Sequence, residues 1–186
     1  MGNKVEKRLK KEAEEKFEAL LPMKLVLFGK RESGKTAIIN RFGFNKFSNS
    51  YEPTRQSNLV SKIYKIENYK YPFSVDLWDI PGDETEIVGT KVIFNHLKVA
   101  VLVVESDAEE PLADVQEYLN YLKSDIHENI PWAVFYTKCD RIGLEQKIDI
   151  VDKTKLHFSE EKFLVGKCIL TTFGWFTSLS FCCFGS

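Results

Sequence analysis

An eight-residue segment, Gly29-Lys30-Arg31-Glu32-Ser33-Gly34-Lys35-Thr36, constrains this chain more than any other feature. It has the form G-x-x-x-x-G-K-T. It lies between an apolar run, Leu25-Val26-Leu27-Phe28, and a stretch of helical character, Ala37-Ile38-Ile39-Asn40-Arg41-Phe42. A strand, a glycine-rich turn and a helix in that order form a cradle whose backbone N–H groups close around a phosphate chain. The helix start adds the positive end of its dipole. Lys35 would bring a point charge to the terminal phosphates, and the Thr36 hydroxyl suits Mg2+. Gly29, Glu32, Ser33, Gly34, Lys35 and Thr36 are therefore candidate nucleotide-binding residues.

The chain has 186 residues, enough for one α/β domain with a real core. A formal net charge of -1 argues against nucleic acid as a partner. No apolar run reaches the ~20 residues of a membrane span. The charged N-terminus does not resemble a secretory signal. The 4 cysteines, Cys139, Cys168, Cys182 and Cys183, fit neither a disulfide framework nor a zinc site, so a reducing cytosol is the expected compartment.

Residues 3–20 are rich in Lys and Glu. Val5, Leu9, Ala13, Phe17 and Leu20 recur at near-helical spacing up to Pro22. This predicts a charged helical extension over 1–21, followed by a nucleotide-binding domain over 22–172 and an atypical apolar tail over 173–186. Within the domain, residues 43–57 read as a loop. Leu59–Ile66 and Phe73–Ile80 read as antiparallel strands turning near Asn68, and Pro81-Gly82 breaks the second. Val99–Val104 and Trp132–Tyr136 read as buried strands, and Leu112–Leu122 as a helix. A further helix is expected around Asp152–Phe163, and a last strand at Cys168–Thr171. The alternation predicts a three-layer α/β phosphate-loop domain. Its sheet is mostly parallel with one antiparallel edge strand, and helices cover both faces.

Three more segments stand where a nucleotide-triphosphate switch would need them, the second and third at strand ends, where such sheets bind ligands. In Tyr51-Glu52-Pro53-Thr54, the Thr54 hydroxyl could meet Mg2+ and its N–H a third phosphate. In Asp79-Ile80-Pro81-Gly82, the carboxylate could reach the metal through water, and Gly82 could offer its N–H. In Thr137-Lys138-Cys139-Asp140, a carboxylate bound to the N1–H and amine of guanine would reject adenine, a discrimination of roughly 10⁴-fold. Each segment alone is also an ordinary turn.

In order and spacing, however, the set resembles the small GTPases of the Ras superfamily, over about residues 23–140. Arg41-Phe42, Phe47 and Tyr51-x-Pro53-Thr54 look most Rab-like or Ras-like, and Trp78 resembles the Rab, Rho and Arf branches. The absence of a large helical insertion before Thr54 separates the chain from heterotrimeric G-protein α subunits, whose loop Glu32–Thr36 resembles. The resemblance implies a GTP/GDP-binding switch with GTPase activity. It implies Mg2+ at Thr36, Thr54 and Asp79, nucleotide contacts from Phe47, Gly82, Thr137, Lys138 and Asp140, and catalytic roles at Lys35 and at the position of Asp83. It also implies effector and regulatory proteins on the Thr54 and Gly82 loops.

The chain departs from the family at several places. Asp83 stands where a Gln usually orients the attacking water. An ionised Asp only accepts hydrogen bonds, whereas Gln also donates, so slow intrinsic hydrolysis is expected. Arg31 and Glu32 replace small residues. They could crowd an incoming arginine finger, or Arg31 could supply charge from within. Thr137 replaces the usual Asn, as the Rho branch tolerates. Thr171-Thr172-Phe173 is the nearest counterpart of the family's last base-contacting motif, and no final helix is legible after it.

Cys182-Cys183 resembles the double-Cys prenylation ends of Rab proteins, which would place the protein on the cytosolic face of a membrane. Met1-Gly2 would suit myristoylation, but Glu6 breaks that motif. Three readings follow. One is a slow GTPase switch in vesicle transport or signalling. Another is a non-hydrolysing Rab-like scaffold in a transport complex. The third is an ATP-dependent enzyme sharing only the phosphate loop, which Asp140 and Thr54 argue against.

Overall fold

The computed structural model describes residues 2–48, 50–65, 67, 71–83, 92–125, 130–158 and 163–167. The charged extension forms α1 (Gly2–Leu20), with Val5 and Leu9 largely exposed. Then come β1 (Met23–Phe28), α2 (Lys35–Phe44), β2 (Asn58–Tyr64), β3 (Phe73–Asp79), β4 (Val99–Glu105), α3 (Pro111–Asp125), β5 (Trp132–Thr137), α4 (Leu144–His157) and β6 (Phe163–Lys167).

The described strands form one six-stranded sheet in the order β2-β3-β1-β4-β5-β6. Only the β2–β3 pair is antiparallel, so the expected architecture, with its antiparallel edge strand, is what the chain builds. Side chains alternate along β1 and β4 between two cores. Val26, Phe28, Ala100, Leu102 and Val104 join Val115 and Leu119 of α3 on one face. Leu27, Val101 and Val103 join Ile39 of α2 and Leu77 on the other. Burial on both faces is why these strands read as unbroken apolar runs rather than alternating ones. All parallel strands end at the same edge, and the turns after β1, β3 and β5 carry the three motifs there.

Two sequence expectations are corrected. The helix placed around Asp152–Phe163 begins eight residues earlier and ends at His157. Its start is fixed by Gln146, whose Oε1 accepts the Gly143 N–H at 3.0 Å, one half of a capping box. Its inner side packs Ile150 and Val151 on the core and buries Thr154, whose hydroxyl lies 2.6 Å from that of Tyr136. Phe163, expected to end the helix, opens a strand instead. It pairs in parallel register with Trp132, as Lys167 does with Tyr136. The last described strand thus precedes the expected Cys168–Thr171, which lies outside the described residues. So do Ile66, Asn68, Thr172-Phe173, and Cys182 and Cys183 of the tail.

Candidate functional site

The turn after β1 wraps around its own lysine. The Lys35 ammonium is buried and donates to the carbonyls of Gly29 at 2.7 Å and Lys30 at 2.8 Å. Burial lowers its pKa to about 8, opposed by the nearby Asp79 carboxylate. A buried cation held at the floor of a loop is poised for an anion that would replace its lost hydration. Two glycines are required here. Gly34 takes a left-handed φ of 96° as it caps α2. A Cβ on Gly29 would fall 2.4 Å from the Val103 carbonyl oxygen. Glu32 is also left-handed, with φ 64°, which turns the loop at its crest.

Beside the lysine, the three expected metal ligands converge. The Thr36 hydroxyl donates to Asp79 Oδ2 at 2.7 Å, and the Thr54 hydroxyl lies 2.8 Å from Thr36 Oγ1. Thr36 has one hydrogen and gives it to Asp79, so Thr54 is the donor in the second contact. Asp79 is 1% exposed, and its Oδ1 is buried without a hydrogen-bond partner. Burial raises its pKa, against the opposing pull of Thr36, Lys35 and Thr54. An unpartnered buried carboxylate oxygen beside two hydroxyls is a hard-oxygen donor set. It fits Mg2+, which takes few protein ligands and completes its shell with water and phosphate. The described residues hold no cluster of three His, Cys, Asp or Glu; this group has a single carboxylate, which excludes a zinc-type centre.

The turn after β5 is tied to the phosphate loop. Thr137, at the usual Asn position, donates its hydroxyl to the Ser33 carbonyl at 2.6 Å, with Val104 O a weaker acceptor at 3.3 Å. Ser33 itself is buried, and its Oγ has no partner. Lys138 adopts a left-handed φ of 54°, and its ammonium lies 2.7 Å from Glu105 Oε2 at the end of β4. The Cys139 thiol donates to the Tyr136 carbonyl at 3.2 Å, pinning the short turn Cys139–Arg141 that presents Asp140 at the surface.

Gly82 lies against the loop: a Cβ there would fall 2.7 Å from Arg31 N and 2.8 Å from Lys35 Nζ. Asp83 Oδ2 lies 2.7 Å from Arg31 Nη2. Phe47 is half-buried and lines an open cavity of about 850 Å3 with Asn40, Arg41, Phe44, Asn45, Lys46 and Ser48. Thr137, Lys138 and Asp140 do not line that cavity, so the structure does not bring Phe47 together with the turn after β5 there. A second cavity, of about 600 Å3, opens on the α3 side of the loop, beside Lys30, Arg31, Ser33 and Glu105. At its rim Lys30 Nζ meets Asp114 Oδ1 at 2.6 Å. The Lys30, Arg31 and Lys138 pairs escaped the sequence reading. In the structure, parallel register sets Glu105 beside Thr137, next to Lys138.

A buried loop lysine, a hydroxyl–carboxylate cluster and a hydrogen-bonded turn after β5 on one sheet edge belong to the class of phosphate-loop nucleotide-binding domains. Residues 24–140 match the family model described as Ras of Complex, Roc, domain of DAPkinase. The chain belongs to this Roc/Ras-like GTPase family, as a Rab-like small GTPase. It is 30% identical over 125 residues to Ras-related protein Rab-32C of Dictyostelium discoideum, covering 64% of this chain and 53% of the relative. It is 23% identical over 149 residues to Ras-related protein Rab-21 of Geodia cydonium, covering 80% and 63%. It is 24% identical over 131 residues to Ras-related protein Rab-22A of Homo sapiens, covering 70% and 66%. The chain thus spans less than two thirds of the length of these curated relatives. No helix among the described residues is long and apolar enough to cross a membrane.

Proposed function

We propose that this chain is a guanine-nucleotide switch that hydrolyses GTP slowly. The observation that carries this is the convergence of Thr36, Thr54 and Asp79 beside Lys35. It sets metal-suited oxygens next to a buried ammonium, as a magnesium–triphosphate ligand demands. Mg2+, held by Thr36, Thr54 and Asp79, would neutralise charge on the phosphates. Gly29, Glu32, Ser33 and Gly34 shape the cradle, and Lys35 binds terminal phosphates. Thr54 and Gly82 respond to the third phosphate, so the loops that carry them are where effectors and regulators would dock. Asp140 reads guanine, with Thr137 and Lys138 setting its turn and Phe47 closing on the ring. Asp83 accepts hydrogen bonds but donates none, which leaves the attacking water poorly oriented.

The setting is intracellular transport or signalling on the cytosolic side. Residues 22–172 would act as the switch, and lipidation of Cys182 and Cys183 would bring it to a membrane. Nucleotide released by heat from gently purified protein tests the base assignment. Guanosine phosphates are expected, and adenosine phosphates would contradict it.

A second reading, a scaffold that binds nucleotide without hydrolysing it, is favoured by the engagement of Asp83 with Arg31. Multiple-turnover phosphate release, with and without cell lysate, separates the two. No release under either condition would favour the scaffold.

A further inference from the structure

The Arg31–Asp83 ion pair, which bears on hydrolysis above, also bears on which nucleotide the site prefers. Arg31 belongs to the phosphate loop, and Asp83 follows Gly82 beyond the end of β3. Their charged ends lie 2.7 Å apart across the mouth of the cradle. Between them Gly82 is pressed onto the loop. An added Cβ would fall 2.7 Å from Arg31 N, 2.8 Å from the Lys30 carbonyl carbon and 2.8 Å from Lys35 Nζ. One oxygen at that distance from Arg31 N or Lys35 Nζ would make an ordinary hydrogen bond, but a gap without room for a single carbon has none for a whole phosphoryl group between Gly82 and the loop. Arg31 N–H and the Lys35 ammonium are among the donors that a terminal phosphate would engage.

We propose that the Arg31–Asp83 pair is a clasp that holds Gly82 down on the cradle and biases the site toward nucleoside diphosphates over triphosphates. A triphosphate has to lift Gly82 and part the pair before its last phosphate reaches Lys35. A diphosphate leaves the clasp shut. Arg31 and Asp83 are 56% and 29% exposed, so the pair is weak and exchanges readily with solvent. The bias is therefore a few-fold preference rather than a lock, its size set by how much the pair stabilises the closed form that a triphosphate must open. Arg31 and Asp83 act here as positioning residues, through Gly82. The inference rests on the guanine-nucleotide reading.

The test compares affinities for GDP and for a non-hydrolysable GTP analogue, both with Mg2+. The variants are the double Arg31→Ala/Asp83→Ala and the reversed pair Arg31→Asp/Asp83→Arg. The double variant removes one positive and one negative charge together, so it reads the clasp and not net charge. It should raise the preference for the analogue over GDP about two- to fivefold, and the reversed pair should return that preference to the wild-type value. Hydrogen exchange in the peptide over residues 79–83, without added nucleotide, gives a second readout. It should quicken in the double variant and not in the reversed pair. An unchanged preference in the double variant overturns the clasp. If wild type binds neither nucleotide, the nucleotide reading fails instead, and unchanged exchange in the double variant then overturns the clasp by itself.

Discussion

The Thr137 hydroxyl and the Ser33 carbonyl lie 2.6 Å apart across 104 positions of sequence, joining the turn after β5 to the phosphate loop after β1. Through this bond the part of the site assigned to the base and the part assigned to the phosphates share one rigid edge. Replacing Thr137 by Val keeps the shape and deletes the donor. Urea unfolding should then show a loss of ~1–3 kcal/mol, the cost of an orphaned buried acceptor, and affinity for guanine nucleotides should fall alongside. A Thr137→Val protein of unchanged stability would mean that the bond is idle.

Lys35 makes stability depend on pH in a definite direction. Burial holds its folded pKa at about 8, below the ordinary lysine value of 10.5. Between these values the unfolded chain binds more protons than the folded one, so stability rises as pH climbs from 8 to 10.5. Below pH 8 the buried charge costs about 3 kcal/mol by the linkage relation. The wild-type protein should therefore gain on a Lys35→Met variant as the pH is raised through this window. Urea midpoints of the two proteins at pH 7 and pH 10 check the sign. A difference that does not change with pH would contradict it.

Asp79 has the opposite character. Burial raises its pKa, so the folded state binds more protons than the unfolded state between the two pKa values. Its contribution to stability declines as pH rises from the ordinary carboxylate range. Asp79→Asn removes a buried charge while keeping an acceptor for Thr36. We expect this variant to melt higher than wild type at pH 7 without ligand, and to lose at least about tenfold in Mg2+-dependent nucleotide affinity. Melting curves and titrations in Mg2+ and in EDTA read both effects. Equal Mg2+ dependence in the two proteins would remove Asp79 from the metal site.

Asp83→Gln should speed single-turnover hydrolysis, because an amide both donates and accepts where the carboxylate only accepts. A gain of about tenfold corresponds to roughly 1.4 kcal/mol off the barrier. A rate no faster than wild type would count against Asp83 as the cause of slow turnover.

The sequence made the centre of the sheet legible and its flank much less so. Val99–Val104 and Trp132–Tyr136 stood out because strands buried on both faces must be apolar at nearly every position. Order and spacing single out the phosphate loop, Thr54, Asp79-x-x-Gly82 and Asp140 as candidates, and of these Thr36, Thr54 and Asp79 meet in space. The helix at Leu144–His157 was misplaced because its start signal is modest, a Gly143 N-cap with Gln146 three residues on. The strand at Phe163–Lys167 is only five residues long, and its apolar start read as the end of that helix. The pairs Arg31–Asp83 and Lys30–Asp114 join residues far apart in sequence. Local pattern carries no record of such pairs. They follow only from how the turns after β1 and β3 and the start of α3 are set together.

Titration calorimetry of the purified protein with GTP, GDP and ATP, in Mg2+ and again in EDTA, tests the guanine switch most directly. The expected result is that both guanine nucleotides bind at least about 10³-fold more tightly than ATP, and that GTP affinity drops when the metal is removed. Equal affinity for GTP and ATP, or no heat with either guanine nucleotide in Mg2+, would contradict it.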